Sequence, residues 1–270
     1  MSEPTPHPSM AACGPCLGHA IGRHFETAFR QLGRGPHAVD TSTYFRLQTG
    51  EAHPFGNLAF LTDSRDLESA RAAVAPLAAA AVPAAVILSD MAPTPDVDAL
   101  LLAHGFARHG GPPAMGIDIG ALSGTRLPAG YSWERVVEGA AAKEWTEQFA
   151  RGYGLPVGLA RYFSPENVTP DHSAEATTQF FAVRHNDAIV STSVLHCAGG
   201  LAGIYCVATV PEERFKGLGA HATAEPLRLA ARLGYGVGIL QSSEDGYPVY
   251  TRLGFSDFGQ VPLYLRMPQG

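Results

Sequence analysis

An apolar, strand-like run from Leu201 to Val210 passes through Pro211-Glu212-Glu213-Arg214-Phe215-Lys216-Gly217 directly into a segment with helical spacing that starts near Leu218. A strand handed to a helix by so short a glycine-containing loop is the kernel of an α/β unit, and it sets the helix N-terminus at the strand's end. Glycine lets backbone come close to a ligand, and the unpaired N–H groups and dipole of a helix start attract an anion. Arg214 and Lys216 add two positive charges there, in a chain whose 25 acidic and 19 basic residues leave a formal net charge of -6. In outline the loop suits a pyrophosphate. Its spacing is neither the Gly-x-Gly-x-x-Gly of a dinucleotide fold nor the Gly-Lys-Ser/Thr of a P-loop.

The rest of the chain alternates in the same way. Leu17, Ala20, Ile21, Phe25, Ala28, Phe29 and Leu32 repeat at helical spacing, and Gly33 to Pro36 ends that helix. Strands are expected at Thr43 to Leu47, Asn57 to Thr62, Ala84 to Leu88 and Met115 to Ile119. An alanine-rich helix capped by Asp63 or Ser64 runs to Ala81, and Pro95 to Ala103 forms another. Leu122 to Gly130 has the composition of a linker, which divides the chain into 13–124 and 131–270, with a polar tail over 1–12. Beyond it a helix is expected at Ala140 to Tyr153 and a long loop over Pro156 to Ser173. Strands follow at Gln179 to Arg184, Ala188 to His196 and Leu201 to Val210, then a helix from Leu218 to Leu233. Val237 to Gln241 is a strand, Gly246 to Leu253 a short helix, and Phe258 to Arg266 a closing strand. The fold class is α+β, with mixed α/β sheets.

Both halves end alike. Leu-Leu-Ala-His-Gly-Phe at 101–106 mirrors Tyr-Thr-Arg-Leu-Gly-Phe at 250–255, each between a short helix and a closing strand. The shared order of elements points to an internal duplication.

Within the second half, Arg214-Phe215-Lys216-Gly217-Leu218-Gly219 resembles the Arg/Gln-x-x-Gly-x-Gly/Ala signature of the GNAT superfamily of acyl-CoA-dependent N-acetyltransferases. Gly203-Ile204-Tyr205-Cys206-Val207-Ala208-Thr209 looks like that family's splayed strand, Leu240-Gln241-Ser242-Ser243 like the next strand's end, and Tyr250 to Phe255 like its closing motif. The resemblance implies a GNAT fold over 131–270, an acetyl-CoA cosubstrate and transfer to a primary amine by direct attack in a ternary complex. It further implies that Val207, Ala208 and Thr209 pair with pantetheine amides as an added strand. Phe215, Lys216, Gly217, Leu218, Gly219 and Ala220 would cradle the pyrophosphate, with Arg214 beside them, and Tyr250 would protonate the leaving thiolate. Histone-type members carry a glutamate base where this chain has Gly203, so His196, Glu244, Glu166 and Glu175 are the remaining candidates, or ordered water. A non-catalytic acyl-CoA sensor is the alternative within the same fold. At the matching place the first half runs Phe60-Leu61-Thr62-Asp63-Ser64-Arg65-Asp66-Leu67-Glu68, without glycine and with acids that would repel phosphates, so a duplicated first half should be a degenerate GNAT-like domain.

Other signals point elsewhere less firmly. Cys13-Gly14-Pro15-Cys16 has the spacing of a redox pair but lacks the preceding strand that a thioredoxin fold needs, and with His19 and His24 it lacks the long spacer of a zinc site. No metal is expected. A mildly acidic chain gives nucleic acid nothing to hold, and the run Ala72 to Leu88 is too short and too alanine-rich for a membrane span. Four cysteines and a tail without the features of a signal peptide fit the cytoplasm, as a monomer or homodimer.

Overall fold

The computed structural model describes Met10 and residues 16–268. The expected 1–12 tail, Met10 apart, and Cys13 of the cysteine pair lie outside the described residues. The backbone N–H of Met10 donates to Asp118 Oδ1 (2.9 Å).

The first half supplies helix α1 (Leu17–Leu32), strands β1 (Ala38–Asp40), β2 (Tyr44–Gln48) and β3 (Asn57–Leu61), helix α2 (Leu67–Ala79), β4 (Ala84–Leu88), helix α3 (Pro95–Ala103), β5 (Ala107–Arg108) and β6 (Pro113–Asp118). The second supplies β7 (Tyr131–Val136), helices α4 (Gly139–Tyr153) and α5 (Val157–Arg161), β8 (Thr178–His185), β9 (Ala188–Ala198), β10 (Leu201–Thr209), α6 (Leu218–Arg232), β11 (Val237–Gln241), α7 (Tyr247–Leu253), β12 (Ser256–Gln260) and β13 (Leu263–Arg266).

The strands form two mixed sheets, ordered β1-β2-β3-β4-β13-β5 and β12-β6-β11-β10-β9-β8-β7. The sheets do not follow a linear cut at 122–130. β6, from the first half, lies between β12 and β11, while β13, the end of the chain, lies between β4 and β5. The single closing strand expected over Phe258 to Arg266 is therefore two strands in two sheets. Pro262 sits in the break, where its missing N–H cannot serve a ladder.

Three other expectations are corrected. Neither Asp63 nor Ser64 caps the alanine-rich helix. Asp66 does, accepting from the Ser69 N–H (3.1 Å), because Ser64 is buried and bonded to Asp90 and Ala92; the helix ends at Ala79. The loop over Pro156 to Ser173 contains α5 and a 3-10 turn at Pro165–Asn167. β1, β5 and β7 have no counterpart in the periodicity reading, β1 and β5 because two or three residues are too few to show alternation.

Alternation along the strands sorts the core into layers. Leu58 and Phe60 of β3 and Ala85 and Ile87 of β4 face inward, onto Leu17, Ile21 and Leu32 of α1, and the same cluster takes in Val237 and Ile239 of β11. α1, α4 and α5 are thus sandwiched between the two sheets. Ala59, Leu61, Val86 and Leu88 face outward under α2 and α3. On the far side, Ala202, Ile204 and Leu240 pack under α6 and α7 through Leu227, Tyr250 and Leu253.

Candidate active site

β10 and β11 run parallel and pair only at Leu201–Val237, Ala202–Gly238 and Gly203–Ile239. Beyond that point β11 stays with β6, pairing Leu240 with Met115 and Gln241 with Ala114, while β10 stays with β9. The sheet therefore opens after Gly203. A bulge between Tyr205 and Ala208 drives the parting: Cys206 takes a left-handed φ of 51°, so Tyr205 and Cys206 both join the inner core and Val207 faces outward. On the opened side the backbone of Val207, Ala208 and Thr209 has no neighbouring strand, which leaves an edge able to take an extended ligand. Thr192 Oγ1 and Ser191 Oγ fix the strand from behind by donating to the Cys206 and Ala208 carbonyls (3.0 and 2.8 Å).

At the end of β10 the chain turns through Pro211–Glu213 to the start of α6. Phe215 has φ 65° and is fully exposed, and Gly217 caps the helix at φ 79°, a backbone state that costs a side chain strain. No side chain caps α6 and its first turn holds no acid, so the N–H groups of Leu218, Gly219 and Ala220 lack intrahelical acceptors and point out of the helix start. Arg214 keeps an uncompensated charge here: its Nε and Nη2 donate to the carbonyls of Thr209 (3.2 Å) and Gly152 (2.9 Å). Lys216 does not, because Glu213 Oε2 lies 2.8 Å from its Nζ and the Tyr131 hydroxyl 3.2 Å away. That pairing, with the Tyr131 and His185 hydrogen bonds, draws the Glu213 carboxyl down to about 2.

Tyr250, on α7, is buried under the outer face beside Phe255, whose ring meets it edge-on at 5.9 Å. Burial pushes its phenol up to about 12, partly offset by the Thr223 hydroxyl. Tyr153, at the end of α4, is about half exposed and packs its ring on Phe149 with centroids 5.1 Å apart. Cys206 is pushed up to about 12 by burial, so its thiol stays protonated.

The candidate bases separate. Glu166, Glu175 and Glu244 are exposed, and Glu166 pairs with Arg161 (3.6 Å). His196 is buried, 2.9 Å from Thr178 Oγ1, and packs against His24 with ring centroids 5.3 Å apart. Sequence reading quoted Tyr205 and Gln241 within motifs but gave them no role of their own, and it weighed His24 only as a zinc ligand. Gln241 stands on the inner face at the end of β11, with both amide atoms buried and unpartnered. Its place at the end of the last paired strand was a signal; His24 gave none, since it lies 181 residues from the tyrosine it contacts.

Among the described residues no group of His, Cys, Asp and Glu side chains is placed to hold a metal. His24 bonds Tyr205 and His19 bonds the Asp90 carbonyl, each through Nδ1.

The first half has no such opening. β3 and β4 pair at every step from Leu58–Ala85 to Leu61–Leu88, and the Ser89 N–H extends the ladder to Leu61 O (2.9 Å). Around the start of α2 the protein's own carboxylates occupy the backbone donors: Asp90 takes the Ser64 N–H, Asp63 that of Arg65, and Asp66 that of Ser69.

No protein-family model matches the sequence, and no curated protein matches it. Solved structures do match the fold. A GCN5-related N-acetyltransferase from Kribbella flavida superposes with a TM-score of 0.62 at 21% identity, over 94% of this chain and 96% of its own. One from Sphaerobacter thermophilus gives 0.56 at 15% identity, over 98% and 95%. A tandem GNAT protein from the clavulanic acid biosynthesis pathway gives 0.54 at 15% identity, over 98% and 91%. Along nearly its whole length this chain shares the fold of these solved GNAT structures, with its sheet open in the second half and closed in the first.

Proposed function

We propose that the chain transfers an acetyl group from acetyl-CoA to a primary amine, in a ternary complex formed at the β10–β11 opening. The observation that carries this reading is the parting of β10 from β11 directly above the uncapped start of α6. An extended amide chain can pair with Val207, Ala208 and Thr209 while its pyrophosphate meets the N–H groups of Leu218, Gly219 and Ala220, with Phe215, Lys216 and Gly217 shaping the turn. Arg214 then supplies the unneutralised positive charge.

The amine nitrogen adds to the thioester carbon, the C–S bond breaks, and the departing thiolate takes the phenolic proton of Tyr250. The proton shed by the nitrogen restores the phenol through water, so the sum is amide plus free thiol. Burial holds Tyr250 in its protonated form throughout the neutral range, so it always has a proton to give.

Thiol release from acetyl-CoA, followed over a broad panel of amines, tests the reading. Tyr250→Phe should lower kcat by about 100-fold with acetyl-CoA affinity kept. Arg214→Ala should weaken acetyl-CoA binding instead. Acetyl-CoA binding without thiol release toward any amine would leave a sensor, and unchanged turnover in Tyr250→Phe would remove that tyrosine from the mechanism.

A further inference from the structure

We propose that the first half completes the site in the second: His24 of α1 holds the Tyr205 hydroxyl at the mouth of the β10–β11 opening, where its oxygen accepts an N–H of the attacking amine and aims the nitrogen lone pair. This inference rests on the acetyl-transfer reading and names the group that positions the acceptor.

Gly203 is the last residue of β10 paired with β11, and Tyr205 is the next side chain on the same inner face. A Cβ at position 203 would stand 2.5 Å from His24 Cε1 and 2.6 Å from Tyr205 Cε2. Only the absence of a side chain there admits both rings. His24 Nδ1 then lies 2.7 Å from the Tyr205 hydroxyl, and the Phe25 ring, parallel to Tyr205 within 3° at 6.1 Å, holds the phenol in plane.

Both histidines are neutral in this setting. Burial brings His196 down to about 4, and burial with the neighbouring His196 brings His24 down to about 3. We assign His24 the tautomer with its proton on Nε2, in which Nδ1 accepts and the Tyr205 hydroxyl donates. The oxygen lone pairs are left for an N–H donor, the role of a group that orients an amine for attack.

Packing alone does not account for the cluster. His196 Nε2 is buried without a partner, a cost that an apolar side chain filling the same space would not carry. His24 comes from the first half and reaches the second half's site only because α1 lies between the sheets, so a first half with a closed sheet of its own still has work at the other.

Tyr205→Phe removes one oxygen and should lower kcat by about 100-fold, with the acetyl-CoA Kd within about twofold by calorimetry and the melting temperature held. His24→Leu should cost a similar factor, and His24→Asn, whose Oδ1 can take the place of Nδ1, should restore most of it. The double variant Tyr205→Phe/His24→Leu should be no slower than either single variant, since both remove one interaction. Should His24→Leu fail to fold, Tyr205→Phe and His24→Asn carry the test. Wild-type turnover in Tyr205→Phe, or losses that multiply in the double variant, would overturn the inference while leaving acetyl transfer intact. A wild-type chain inert toward every amine would strike the acetyl-transfer reading itself and this inference with it.

Discussion

At position 203 a missing side chain decides what stands in the site. Gly203 opens the space into which His24 and Tyr205 lean, and the two buried histidines gathered there make stability depend on pH. Their folded values, about 3 and about 4, lie below the ordinary value of 6.5, so the unfolded chain binds more protons than the folded one between those limits. Stability from this pair is fully present above pH 6.5 and is lost as pH falls from there through about 4 for His196 and about 3 for His24. Denaturant midpoints should therefore drop through that window. In His24→Leu the drop should be shallower, and an equal slope in both proteins would show that the ring is not held neutral.

The two halves differ most clearly as elements. β3 and β4 are zipped to their ends, whereas β10 and β11 part after three pairs, and the difference lies in the bulge at Cys206 and the way β6 draws β11 aside. The loops that follow differ in the same sense. Gly217 leaves the start of α6 bare, while Asp63, Asp66 and Asp90 occupy the donors about the start of α2. One acetyl-CoA per chain is the expected calorimetric stoichiometry, and a second site of similar affinity would contradict the closed sheet. Tyr131 and Glu213, which hold Lys216, also tie β7 to the loop before α6, so the loop is braced from the far edge of the sheet.

In the whole molecule the exchanged strands join what the sequence presents as two units. β5 pairs only with β13, and β13 separates it from β4, so the last residues of the chain complete the first sheet. Removal of residues 261–270 should abolish cooperative unfolding of the first half, seen as a broad, low-temperature melt by circular dichroism. Cleavage within 122–130 should do neither harm nor separation, and the two fragments should run together on gel filtration. Fragments that part after cleavage would mean that the exchanged strands and the shared core around α1 do not bind the halves. Among the described residues no helix is long and apolar enough to cross a membrane.

Local chemistry was enough for most of the elements and for the glycine turn into α6, but not for β1, β5, β7 or α5. Apolar spacing set α1 at Leu17–Leu32, α3 was expected at Pro95–Ala103 and forms there, and glycine spacing placed the bare start of α6. Such signals reside in a few neighbouring residues, so one sequence carries them. Sheet membership does not reside there. An apolar run from Phe258 to Arg266 reads as one strand whichever sheet receives it, and only packing sent its ends to different sheets across Pro262. The same holds at the site: Arg214 and Tyr250 lay within a readable segment, but the partners of Gly203 and Tyr205 came from α1, and nothing local to a histidine at position 24 records a tyrosine at 205. Contacts of that separation are fixed by which buried surfaces fit together, and that fit exists only in the folded chain.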